Sequence, residues 1–228
     1  MATPTHLIRI ECPDEESTER VGEIIAEIAP RPTCVGLEGE LGAGKTRLAR
    51  GLARGLGLDP DVISSPTFVI HIEHSGATSD YPCFSHLDAY RIEGEEELES
   101  IGFDELVTDH DRLVAIEWAS KIASSLPANR IDVRIDHRGP EERAITLLDV
   151  RDDDAARTRL REALEARAAA WCTPLGGERS CPSCGSHCED PESRPFCSSR
   201  CRLADLAGWF GGHYSIGRPL KEADFLDD

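Results

Sequence analysis

The stretch "GELGAGKT", residues Gly39 to Thr46, constrains this chain more than any other. It satisfies G-x-x-x-x-G-K-[ST] at every fixed position. The apolar run "TCVGLEG" before it reads as a short buried strand, and "KTRLARGLARGLG" after it reads as a helix ending at glycine. In a strand–loop–helix frame of this kind, backbone amides can close around phosphate oxygens, because glycine removes the side chains that would block the approach. The helix then aims its N-terminus at the anion. Lys45 is placed to reach β and γ phosphates, and Thr46 to hold magnesium through its hydroxyl. The competing account, a glycine-rich turn with a chance lysine, leaves both flanks unexplained.

A phosphate loop needs an acid from the end of a second strand. Glu117 ends "LVAIE" and Asp88 ends "CFSHLD". For each, a solvated carboxylate where a strand leaves the sheet is the alternative. "SSPTF" supplies Thr67 after a rigid proline, where it could sense a γ-phosphate or simply begin a strand.

Around this centre the chain alternates strands and helices. "HLIRIE" has strand alternation, and "ESTERVGEIIAEIA" carries Val21, Ile24, Ile25 and Ile28 at helical spacing, with Ser17 and Thr18 as natural caps. "TFVIHIEH" and "PCFSHLDAY" read as strands joined by a turn at "SGATSDYP". "GEEELESIGFDELV" reads as a helix, "RLVAIEWA" as a buried strand and "KIASSLP" as a short helix. "RIDVRIDHR" and "RAITLLDV" close a hairpin around "GPEE". The expected fold is α/β, a three-layer P-loop nucleotide-binding domain with a small C-terminal zinc-binding domain. The expected division is 1–150 for the first domain, 151–180 for an Ala/Arg-rich helix and the linker "TPLGGERS", and 181–228 for the second.

The formal net charge of −18 excludes nucleic-acid binding by bulk attraction. No apolar stretch approaches the roughly 20 residues of a membrane span, and the N-terminus lacks the basic start and apolar core of an export signal. A cytoplasmic protein is therefore expected. Of nine cysteines, five lie between residues 181 and 201. Cys181-x2-Cys184 and Cys197-x3-Cys201 make a four-thiolate set suited to tetrahedral zinc, with Cys188 as a spare thiol, Cys172 and His187 as alternative ligands, and buried or free cysteines as the competing account. A segment of 48 residues with few aliphatic side chains needs such a staple.

"LEGELGAGKTRLARGLARGLG", "SSPTFVI", "HLDAYRI", "EELESIGFDEL" and "VAIEWASKI" follow one another as in the TsaE (YjeE) family, and the resemblance spans roughly residues 7 to 150. It implies a magnesium-dependent ATPase of low intrinsic turnover, acting with TsaD and TsaB in N6-threonylcarbamoylation of adenosine 37 in tRNA. It also implies a nucleotide cradle from Glu40 through Leu41, Gly42, Ala43, Gly44 and Lys45 to Thr46. By the same resemblance Thr46 and Glu117 hold magnesium, Asp88 serves hydrolysis, Thr18 lies near the adenine and Arg143 lies near the nucleotide. Trp118 belongs to the pattern, with plain packing as its preferred account.

"CPSCG" and "RPFCSSRCRLADLAGWF" resemble the YacG family of small zinc proteins described as DNA gyrase inhibitors. That resemblance implies zinc at Cys181, Cys184, Cys197 and Cys201 and binding to the gyrase B subunit. The loop of 12 residues between the cysteine pairs and the acidic tail "KEADFLDD" depart from the family pattern. Two other functions fit the same residues: a gyrase regulator with an incidental ATPase, and a P-loop kinase of a small molecule. For the kinase the chain shows no arginine-bearing lid segment.

Overall fold

The computed structural model describes residues 6–29, 33–75, 83–168 and 173–174, with positions 198, 200, 201, 203 and 204. The chain divides into two compact units, Met1–Glu178 and Arg179–Asp228.

The first unit is built on β1 (His6–Cys12), β2 (Thr33–Glu38), β3 (His71–Ser75), β4 (Cys83–Asp88), β5 (Arg112–Glu117), β6 (Ile131–His137), β7 (Arg143–Asp149) and β8 (Thr173–Pro174). They form one sheet in the order β3-β4-β5-β2-β6-β7-β1-β8. The four central strands are parallel: β4 to β5, β5 to β2 and β2 to β6. Their C-terminal ends therefore open on one edge of the sheet, where α/β proteins bind ligands. The register sets Asp88 opposite Glu117, and Glu117 opposite Leu37, one residue before the end of β2.

Helices α1 (Glu15–Ile28), α2 (Lys45–Gly55) and α5 (Asp154–Ala168) share one core with the sheet. Val35, Leu37, Leu113, Ala115, Val133 and Ile145 meet Leu48, Leu52, Leu160 and Leu164 in it. Val114 and Ile116 alternate with Leu113 and Ala115 along β5, so they face the other side. They are buried outside that core. Two short helices, α3 (Glu95–Ser100) and α4 (Phe103–Thr108), bury Leu98, Phe103 and Leu106 outside it as well, and α4 packs on β5. The result is a three-layer α/β fold.

Helix α1 crosses α2 at backbone contact. A Cβ placed on Gly51 would stand 1.8 Å from the carbonyl oxygen of Glu19, and one on Gly22 would stand 2.3 Å from that of Leu48.

Several local expectations are corrected. Asp14, not Ser17 or Thr18, caps α1: its carboxylate accepts from the Ser17 amide at 2.7 Å, and Ser17 accepts in return from the Asp14 amide at 3.2 Å. The segment "TFVIHIEH" is a strand only from His71. Thr67–Val69 form a turn, with Ile70 donating its amide to Pro66 O at 2.7 Å and taking φ 71°. The helix expected over "GEEELESIGFDELV" is broken at Gly102, whose φ of 65° separates α3 from α4. The short helix expected at "KIASSLP" is a 3₁₀ turn displaced to Ala119–Ile122. The helix placed between the domains belongs to the first unit, since Leu160 and Leu164 are fully buried in its core. The linker "TPLGGERS" begins as β8, pairing Thr173 with Glu11. The turn at 76–82 and the remainder of the linker lie outside the described residues, as do Cys181, Cys184 and Cys197.

Candidate nucleotide site

The loop between β2 and α2 owes its shape to glycine. Gly44 takes φ 104° at the N-cap of α2, a left-handed conformation that other residues reach only with strain. No side chain caps this helix end, so the first amides of α2 are left for an anion. From below, Arg143 at the start of β7 holds the loop: its Nε donates to Ala43 O at 2.9 Å and its Nη2 to Gly42 O at 3.4 Å. Its Nη1 donates to the carbonyls of Gly139, Pro140 and Glu142.

Lys45 is buried. Its Nζ donates to Gly39 O at 2.8 Å and Glu40 O at 2.9 Å, and lies 3.7 Å from the centre of the Trp118 ring. Burial lowers its pKa from the ordinary lysine value, against the pull of Glu117, Glu38 and Asp88. The carbonyls and the ring face stabilise the charge. Trp118 is thus part of the site's wall, not plain packing. It takes φ 57°, an uncommon backbone state for a bulky residue.

Thr46 Oγ1 donates to Glu117 Oε1 at 2.8 Å, so the hydroxyl of α2 and the carboxylate of β5 meet across 71 positions of sequence. A hydroxyl and a carboxylate together are the oxygen donors a hard cation takes. The described residues therefore fit magnesium at this place. Asp88 is buried at the end of β4 and fully engaged: Oδ2 accepts from Thr67 at 2.7 Å and Ser65 at 3.3 Å, and Oδ1 from the Tyr90 amide at 2.8 Å.

A cleft of about 370 Å³ gathers these groups. Thr18, Leu41, Gly42, Gly44, Lys45, Thr46, Thr67, Asp88, Glu117, Trp118 and Arg143 line it, together with Glu15, Arg47 and Ser65. Glu40 and Ala43 belong to the loop but not to the cleft wall, and Ala43 is buried beneath it. Cys201 is half-buried, and its amide donates to Ser198 Oγ at 3.3 Å. Among the described residues no cluster of three or more His, Cys, Asp or Glu side chains could hold a metal. The zinc set falls outside them save for Cys201.

Two buried polar residues that contact the site escape the sequence reading. Glu38 ends β2 buried, its carboxylate accepting from the Ser120 amide, and burial raises its pKa above the usual range. This bond ties the loop strand to the turn that presents Trp118. The signal was a charged residue closing a fully buried strand. His86 is completely buried with Nε2 2.9 Å from Glu117 Oε1. The signal was a polar residue alternating in register with Asp88.

The model of threonylcarbamoyl adenosine biosynthesis protein TsaE matches residues 12–145, and the model of DNA gyrase inhibitor YacG matches residues 179–225. The tRNA threonylcarbamoyladenosine biosynthesis protein TsaE of Bacillus subtilis is 38% identical over 58% of this chain and 78% of its own length. Its counterpart in Streptomyces coelicolor is 39% identical over 51% of this chain and 76% of its own length, and that of Haemophilus influenzae 38% over 55% and 79%. The crystal structure of YdiB from Bacillus subtilis superposes with a TM-score of 0.56 at 26% identity, covering 72% of this chain and 99% of that one. By matched length, by identity and by the arrangement of its phosphate loop, the chain belongs to the TsaE family, and it carries a YacG-like domain fused at its C-terminal side.

Proposed function

We propose that the first unit binds ATP with magnesium in this cleft, hydrolyses it slowly, and serves tRNA N6-threonylcarbamoyladenosine formation at position 37 as the accessory ATPase of a cytoplasmic complex with TsaD and TsaB. One observation carries the reading: Lys45, Thr46, Asp88 and Glu117, from three separate elements, converge on one cleft under a glycine-capped helix end. Membership of the TsaE family supplies the pathway.

The chemistry asked of the chain is positioning and charge stabilisation. The loop amides and Lys45 would stabilise charge on the β and γ phosphates, Lys45 exchanging the carbonyls of Gly39 and Glu40 for phosphate oxygens. Thr46 and Glu117 would hold magnesium, which would supply further neutralisation of the phosphate charge. Asp88, fixed by Thr67, Ser65 and the Tyr90 amide, orients the attacking water. In the second unit, Cys181, Cys184, Cys197 and Cys201 hold zinc, and the module engages the gyrase B subunit.

The test joins two measurements: magnesium-dependent ATP turnover of the full chain, and mass analysis of tRNA nucleosides from cells lacking it. Loss of the modified adenosine, restored by the wild-type chain and not by Lys45→Ala, supports the reading. Undiminished modification in the deletion strain refutes the pathway assignment. Pull-down from native extract separates TsaD and TsaB from gyrase as partners.

A further inference from the structure

We infer that His86 is a positioning residue of the magnesium site, holding the Glu117 carboxylate in place through its Nε2–H. The inference rests on the nucleotide reading above.

His86 sits on β4 two residues before Asp88, with no exposed surface. Its Nε2 lies 2.9 Å from Glu117 Oε1, the same oxygen that accepts from Thr46 at 2.8 Å. An ionised carboxylate only accepts, so Nε2 carries the hydrogen. The other nitrogen, Nδ1, is buried with no hydrogen-bond partner among the described residues. A bare buried nitrogen costs free energy that an apolar side chain in the same place would not. Among the described residues the ring's one polar contact is thus the carboxylate.

The ring plane is fixed by packing. Phe84 stacks on it at 6.0 Å between centroids with 30° between planes, and His74 stacks beyond Phe84 at 6.2 Å. The carboxylate is therefore held from two elements: α2 through Thr46 and β4 through His86. A hydroxyl drawn to a cation gives up its bond to Glu117, whereas the imidazole N–H has nowhere else to go. His86 is then the remaining hold on the carboxylate when it must present an oxygen to the metal, as partners of metal ligands do.

The test measures ADP binding to the full chain by calorimetry, with and without magnesium, for wild type, His86→Gln, His86→Asn and His86→Leu. Glutamine carries an amide nitrogen at the reach of Nε2, asparagine only at that of Nδ1. His86→Leu and His86→Asn are expected to raise the magnesium needed for tight ADP binding about tenfold or more, with metal-free ADP affinity unchanged and His86→Gln close to wild type. The same magnesium dependence in all variants, or His86→Gln falling together with His86→Leu, overturns the inference. If His86→Leu does not fold, the contrast between Gln and Asn decides alone. Failure of the nucleotide reading itself is distinct: the wild type would then show no magnesium-dependent ADP binding, and the inference would fall with it.

Discussion

Thr67 donates its hydroxyl to Asp88 at 2.7 Å, joining the turn after Pro66 to the end of β4. With the amides of Val69 and Ile70 donating to Pro66 O, the bond holds a segment rich in β-branched residues in a turn. It also makes Thr67 an anchor of Asp88, the acid proposed above to serve hydrolysis. Asp88→Asn is expected to lower kcat at least about 100-fold while leaving nucleotide affinity nearly unchanged. Thr67→Val should show the same pattern more weakly, because Ser65 still donates to Asp88. Steady-state kinetics beside nucleotide titration checks both. A large affinity loss with kcat intact would place Asp88 in binding instead.

Lys45→Ala should abolish turnover, by about 100-fold or more, without unfolding the chain. The amine is buried on backbone carbonyls and an aromatic face, not paired with a carboxylate, so its removal leaves no buried counter-charge in direct contact. Circular dichroism and a melting curve verify the fold. Wild-type turnover in a folded variant would refute the loop assignment.

Glu117→Ala should weaken magnesium-dependent turnover far more than magnesium-free nucleotide binding, since its partner in the cleft is the Thr46 hydroxyl. Equal losses in the two would mark the residue as structural.

Asp132 gives the first unit a pH signature. It is buried on β6 opposite Gly36 of β2, accepts from Arg130 at 2.8 Å through Oδ1, and keeps Oδ2 buried without a hydrogen-bond partner among the described residues. Burial raises its pKa to about 6, Arg130 opposing and Glu38 adding to the shift. A raised carboxyl pKa means that the folded chain keeps a proton the unfolded chain has already released. Its contribution is full below the ordinary value of 3.8 and is lost as pH rises through about 6. Asp132→Asn mimics the protonated form, so the melting temperature of the variant minus that of the wild type should climb from about pH 4 to about pH 7. A flat difference would show that the carboxyl titrates normally.

The second unit yields a prediction on the sequence alone. One zinc per chain is expected, lost in each of Cys181→Ser, Cys184→Ser, Cys197→Ser and Cys201→Ser, with ATP turnover surviving chelation once magnesium is restored. Metal analysis and an ATPase assay decide it. Zinc retained in all four variants would remove the site.

The frame of the fold was legible where one physical signal dominated. "TCVGLEG", "LVAIE" and the hairpin of β6 and β7 read as strands because burial on both faces or strict alternation leaves few alternatives. The phosphate loop was legible because its chemistry requires fixed residue types. The turn at Thr67 was not, because Thr, Val and Ile favour strands locally and the bonds to Pro66 and Asp88 that override them form only in the fold. The capping residue Asp14 was missed because Ser17 and Thr18 are equally good candidates a turn later, and Ser17 does serve the cap, from its third position. Helix α5 read as a connector because its composition is polar, although Leu160 and Leu164 bury fully on one stripe. Glu38 and His86 were silent because a single polar residue in a strand shows no partner until the sheet is assembled.

The seam at Gly22 and Gly51 has a mechanical consequence. Side chains between packed helices act as cushions, absorbing small shifts by changing rotamer. Here main chain rests on main chain, and that slack is missing. A tilt of the helix that carries Lys45 and Thr46 would therefore meet α1 at once. Helix α1 in turn packs on α5. Ion pairs reinforce the seam, since Arg47 and Arg54 of α2 both reach Glu19 of α1, so the two helices are coupled as one rigid slab.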